Sequence, residues 1–148
     1  MSSDYMLQMK SEVNCFKLWA EKTDRSYGEW ETDYDDWYKI YNVTEKLIKN
    51  VPVEQWNGKI VEEFLYILAR DNEVENIIEQ LIERPHQLLS LAKLAVSYKD
   101  PDAKWQIAYG LGEINGEDSA IKSLLSEFLR DECEYVRRRA LFALRKRN

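Results

Sequence analysis

From Gly58 to the C-terminal end, apolar residues recur three and four positions apart in one segment after another. Ile60, Val61, Phe64, Leu65 and Leu68 form one stripe, and Val74, Ile77, Ile78, Leu81 and Ile82 the next. Leu88, Leu91, Leu94 and Ala95 follow, then Ala103, Ile107, Leu111 and Ile114. Ala120, Ile121, Leu124, Leu125 and Phe128 make a fifth stripe, and Val136, Ala140, Ala143 and Leu144 a sixth. Each fits the i, i+3, i+4, i+7 template of an amphipathic helix. Punctuation agrees with the period. Asp100-Pro101 sets a capping acid before a proline at the first helical position, Asn115-Gly116 is a stop, Pro85 opens a helix, and Asp71 or Asn72 can cap the one before it. The connections are two to four residues long, and short links make consecutive helices antiparallel neighbours.

Residues 1–57 differ in texture. One helix is expected around Tyr5–Lys22, with Met6, Met9, Val13 and Phe16 on one side. A second is expected around Thr32–Asn50, with Trp37, Ile40, Tyr41, Leu47 and Ile48. The stretch from Tyr27 to Tyr38 mixes five acids with five aromatic residues, and aromatic side chains of this size mean burial or an interface.

Composition removes whole classes. At 148 residues the chain is expected to be a single helical domain, irregular over 1–57 and repetitive over 58–148. Apolar residues at 45% are too many for a disordered chain, and five glycines and three prolines too few for a turn-rich β architecture. The longest apolar run, Phe64 to Ala69, is six residues, far short of the ~18 a membrane span needs. The start, Met1-Ser2-Ser3-Asp4, has no signal-peptide pattern, so a reducing, cytoplasmic setting and unpaired Cys15 and Cys133 are expected. His86 is the only histidine, which excludes a His-rich zinc site within one chain. No phosphate-loop, dinucleotide, C-x-x-C or nucleophile-elbow pattern occurs. No catalytic residue and no cofactor is assigned.

A shift of 33 residues overlays Ala103-Lys104 on Val136-Arg137 and Leu111 on Leu144, each copy preceded by an acid, Asp100 or Asp131. Such a period signals stacked helix pairs: 58–71 with 73–84, 86–98 with 101–114, and 117–130 with 133–147. The run Asp100-Pro101-Asp102-Ala103-Lys104-Trp105-Gln106-Ile107-Ala108-Tyr109-Gly110-Leu111-Gly112-Glu113-Ile114 resembles the second helix of a HEAT repeat of the PBS-lyase type. Tyr135 to Leu144 resembles it too. The likeness is best over 100–147 and extends weakly back to 58. It implies an all-α fold, a short α-solenoid of antiparallel helix pairs with about eight helices. It also implies a ladder between repeats made by Asp100, Asp131, Lys104 and Arg137. Lys104 stands where the family usually has Arg, so bidentate pairing is not expected there.

At about 100° per residue, Trp105 and Tyr109 fall opposite the apolar arc of their helix, as do Arg138, Phe142 and Arg145 on the last one. The 33-residue shift superposes Trp105 on Arg138 and Tyr109 on Phe142, giving one row of types enriched in interface hot spots. With Trp30 and Trp37 these are the candidate partner-binding residues. Two bland readings stand beside this one: Trp105 and Phe142 pack against the adjoining repeat, and the arginines form a solvated end face.

Charge is uneven. Residues 1–130 carry a net −9 and residues 131–148 a net +3. The leading expectation is a non-enzymatic interaction module, an adaptor or an immunity-type inhibitor, whose acidic aromatic region meets a basic protein. The alternative is nucleic-acid binding, as in HEAT-like alkylpurine DNA glycosylases; the acidic body opposes it and the basic last helix favours it. A chromophore-lyase role is suggested by the family name alone. Glu29, Glu31, Asp33, Asp35 and Asp36 lack the spacing of a calcium loop, so no metal is expected.

Overall fold

The computed structural model describes residues 2–116 and 118–147. Among them the chain is helical, with no strand. The eight α-helices are α1 (Ser2–Glu21), α2 (Trp37–Asn50), α3 (Gly58–Arg70), α4 (Asn76–Ile82), α5 (Pro85–Ala95), α6 (Pro101–Glu113), α7 (Asp118–Phe128) and α8 (Glu134–Arg147). Short 3-10 turns lie at Trp30–Asp33 and Val53–Gln55. The expected helix start at Glu117 lies outside the described residues. No described helix is long and apolar enough to cross a membrane.

Helix α1 buries Met9, Val13, Phe16 and Ala20, the four-three-four spacing of one helical face. The second helix begins at Trp37, five residues later than its periodicity predicts. The cause is local and tertiary together. Glu29 takes a left-handed backbone, and Thr32 bonds back to its carbonyl at 2.8 Å. Tyr34, extended in backbone, turns its ring edge-on into Phe16 at 5.0 Å. The Trp37 indole then donates to the Glu31 carbonyl at 2.9 Å. Helix α4 is also shorter than predicted, because Glu75 is left-handed and breaks the pattern before Asn76.

Helices α2, α4, α6 and α8 touch in series, and α1 packs on α3 and α5 on α7. The most extensive contact is α6 with α8. Helix α6 is buried on nearly every side, including Lys104, Trp105 and Gln106, since it lies against α3, α4, α5, α7 and α8. Gly112 makes the α8 contact fit. A Cβ there would lie 2.8 Å from the Ala143 Cβ and 3.0 Å from its Cα. Polar clamps fix the register elsewhere. Gln87 donates to the carbonyls of Ile48 and Val51 at 2.7 and 2.8 Å and accepts from the Val53 amide at 3.0 Å.

Three acids repeat one double role. Asp71, Asp100 and Asp131 precede α4, α6 and α8. One oxygen of each accepts an amide close to the start of the helix that follows: Ile77 at 2.9 Å, Asp102 at 2.9 Å and Cys133 at 3.0 Å. The other oxygen accepts from a side chain of an earlier helix: the Tyr41 hydroxyl at 2.7 Å, Arg70 at 2.8 Å and Lys104 at 2.5 Å. Of the four residues expected in a ladder, Asp100, Asp131 and Lys104 take part through their side chains. Arg137 bonds instead to the Asp131 carbonyl at 2.7 Å.

Candidate interaction surface

Helices α4, α6 and α8 share a face. On α6, Tyr109 donates its hydroxyl to Glu79 of α4 at 3.2 Å. From α8, the Arg139 guanidinium covers three rings: Trp105 at 5.1 Å, Tyr109 at 5.2 Å and Tyr135 at 5.8 Å. It also donates to the Tyr135 hydroxyl at 3.1 Å. Arginine so placed gains from the ring quadrupoles and from stacking. Burial, more than the nearby Glu79, raises the Tyr109 hydroxyl above its usual pKa. A dent of about 180 Å³ lies beside this cluster, lined by Tyr109, Glu113, Arg139, Phe142, Ala143 and Lys146.

The candidate row is split by this geometry. Trp105 is only 8% exposed; it meets Tyr135 edge-on at 5.4 Å and bonds to Asp102 at 3.1 Å. Tyr109 is half-buried, whereas Phe142 is 54% exposed and Arg138 and Arg145 are exposed. Angular arithmetic puts Trp105 away from its own core arc, but α8 covers that side of α6. Arg139 and Tyr135 are the residues that sequence reasoning passed over. Both border the Val136 stripe, and only the position of α6 shows what they touch.

Five of the six bases of α8 are engaged by groups of the same chain. Arg137 bonds to the Asp131 carbonyl, Arg138 pairs with Glu134 at 2.5 Å, and Arg139 lies over its rings. Lys146 pairs with Glu113, and Arg147 with Asp118 at 2.8 Å and with the carbonyls of Leu111 and Ile114. Arg147 and Lys122 hold the Asp118 carboxyl below its usual pKa. Of these six bases Arg145 alone has no partner among the described residues.

The second candidate region is an aromatic cluster around Phe16. Trp30 stacks on Trp19 at 6.0 Å, and Trp37 on Tyr41 at 5.5 Å. Both indoles are half-buried and packed within the chain. The exposed rings nearby are Tyr27, bonded to Asp33, and Tyr38. The acids divide likewise. Glu31 turns inward to Arg70 at 3.3 Å and Asn72 at 3.2 Å. Glu29 stays outside and faces Glu73, whose carboxyl it raises above the ordinary glutamate value. Val74, next to Glu73, is exposed.

Among the described residues no group of three or more His, Cys, Asp or Glu is arranged to hold a metal ion. His86 lies 2.9 Å from Glu54, and Ser90 donates to the same Glu54 oxygen at 2.9 Å. The serine thus bonds to the carboxylate rather than to the imidazole. Cys15 and Cys133 are free thiols. Comparison with protein families, curated proteins and solved structures finds no match to this chain.

Proposed function

We propose that the chain is a non-enzymatic protein-interaction module of HEAT type, which takes a basic partner at its acidic edge. The observation that carries this reading is the meeting of Glu29 and Glu73. Two glutamates from separate segments face each other, and the Glu29 charge raises the Glu73 carboxyl above the ordinary glutamate value. Like charges gathered at a surface are relieved by a cationic ligand. Tyr27 and Val74 beside them are exposed and supply apolar contact. The repeated double role of Asp71, Asp100 and Asp131 supports the helical-repeat reading, as does the serial contact of α2, α4, α6 and α8. For nucleic acid, the exposed Arg138 and Arg145 beside Phe142 are the favourable observation. The local engagement of every base of α8 but Arg145, Arg138 with Glu134 included, weighs against it, since engaged bases release few counterions from a phosphate backbone.

The test is titration of a fluorescent lysine-rich peptide, with a glutamate-rich peptide as control. Glu29→Lys with Glu73→Lys is expected to weaken uptake of the lysine-rich peptide at least tenfold. Equal affinity for both peptides, or no effect of the double reversal, contradicts the reading.

A further inference from the structure

The acidic edge and the basic helix lie on the same face. Glu79 of α4 bonds to Tyr109 of α6, and Arg139 of α8 covers the same Tyr109 ring. One rim of the surface over α6, the groove between α4 and α8, is therefore acidic, with Glu79 and with Glu75, which lies close enough to Arg139 to feel its charge; Glu73 precedes Glu75 by two residues. The other rim is α8, where Tyr135, Arg138, Phe142 and Arg145 fall within an arc of about 80° at about 100° per residue. These four are exposed. Phe142 borders the dent in the groove floor, and Arg145 has no partner among the described residues.

The geometry points to a second copy of this chain as the occupant: an isologous dimer in which the α8 rim of each copy meets the Glu29–Glu73 edge of the other. A twofold axis along the groove sets acidic rim on basic rim twice, because it exchanges the two sides of the face. An isologous contact requires this self-complementarity. The arrangement gives Arg145 a carboxylate, relieves the Glu29–Glu73 repulsion and covers Phe142 and Val74. A standard interface takes about 800 Å² from each partner, close to a tenth of the 7969 Å² surface of the chain. This inference rests on the interaction reading above and names the α8 rim of a second copy as the basic surface.

Sedimentation velocity over a concentration series tests it, at about 50 mM and about 500 mM salt, where screening differs strongly. At low salt the mass is expected to rise with concentration toward twice the 17.6 kDa of one chain, and at high salt to fall back. Arg138→Glu with Arg145→Glu, and separately Glu29→Lys with Glu73→Lys, should each weaken association at least tenfold. All four residues are exposed, and circular dichroism checks that both variants are folded. Self-association of either variant is expected to stay weak. Each variant alone sets like charges together at both contacts, whereas a mixture of the two sets opposite charges together at both. Mixing them is therefore expected to restore a dimer, as is the quadruple reversal with both rims inverted in one chain. A wild-type chain that stays at 17.6 kDa, or a quadruple reversal no better than the doubles, overturns the dimer. If such a monomer still takes up the lysine-rich peptide, the dimer alone falls; if it does not, both readings fall.

Discussion

The Lys104 ammonium lies 2.5 Å from the Asp131 carboxylate, and each side chain is only 7% exposed. The pair joins the middle of the helical row to its last member. Removing one partner of a buried pair strands the other charge, at a cost of about 3–5 kcal/mol. Lys104→Met keeps the volume and removes the charge. It is expected to lower the unfolding free energy by that amount in a denaturant titration. Adding Asp131→Asn, which retains an acceptor for the Cys133 amide, should recover part of the loss. A single variant as stable as the wild type would show that the pair is solvated after all.

The contact of Gly112 with Ala143 predicts a substitution that runs against helix propensity. Alanine is better than glycine in a helix by about 1 kcal/mol. At Gly112, however, a new methyl would meet the Cβ of Ala143 at 2.8 Å and its backbone at 3.0 Å. Gly112→Ala is therefore expected to destabilise by about 1–3 kcal/mol, the usual range for overpacking. Gly110→Ala meets only the side chains of Ile78 and Leu88, at 3.0 Å, which can shift, so its cost should be smaller. Paired thermal melts decide; the reverse order of the two would contradict the packing argument.

These two contacts mark where the sequence is legible. The stripes from Gly58 onward announce helices because burial on one face imposes a 3.6-residue period. The Asp100-Pro101 start is readable because its cap is local, with the Asp100 carboxylate accepting from Asp102. The start of α2 at Trp37 is not readable, because it depends on Tyr34 finding Phe16. In the candidate row, angle alone separates Trp105 from its own core arc. It carries no information about α8, which covers that side and brings Arg139 over the ring. Asp71 is recognisable as a cap, but its second partner, Tyr41, is thirty positions away.

Asp71 gives a pH prediction with a definite sign. Burial is the dominant influence on its carboxyl and raises the pKa, against the Ile77 amide and the Tyr41 hydroxyl, which lower it. The folded chain then holds that proton more tightly than the unfolded chain. From the ordinary carboxylate value, about 3.9, up to the raised folded value, the Asp71 contribution to stability declines as pH rises. Exposed carboxyls held low, such as Asp118, act in the opposite sense. The comparison must therefore be wild type minus Asp71→Asn. That difference in unfolding free energy should fall as pH climbs from about 3.5 toward neutral. A difference that is flat, or that rises, would mean that the carboxyl is not desolvated.

Trp105 and Phe142 share the candidate row but not its energetics. Trp105 is 8% exposed, with contacts to Tyr135, Arg139 and Asp102. Its truncation removes a large buried ring and should cost about 3–5 kcal/mol. Phe142 is 54% exposed, so Phe142→Ala should change stability by no more than about 0.5 kcal/mol. The same Phe142→Ala is expected to weaken self-association, because the ring shares the exposed arc of α8 with Arg138 and Arg145. Stability and association thus separate the two rings in opposite directions. Chemical denaturation measures the first and sedimentation velocity the second. A Phe142→Ala variant that loses several kcal/mol of stability would place the ring in the core, and with it remove the apolar centre of the proposed contact.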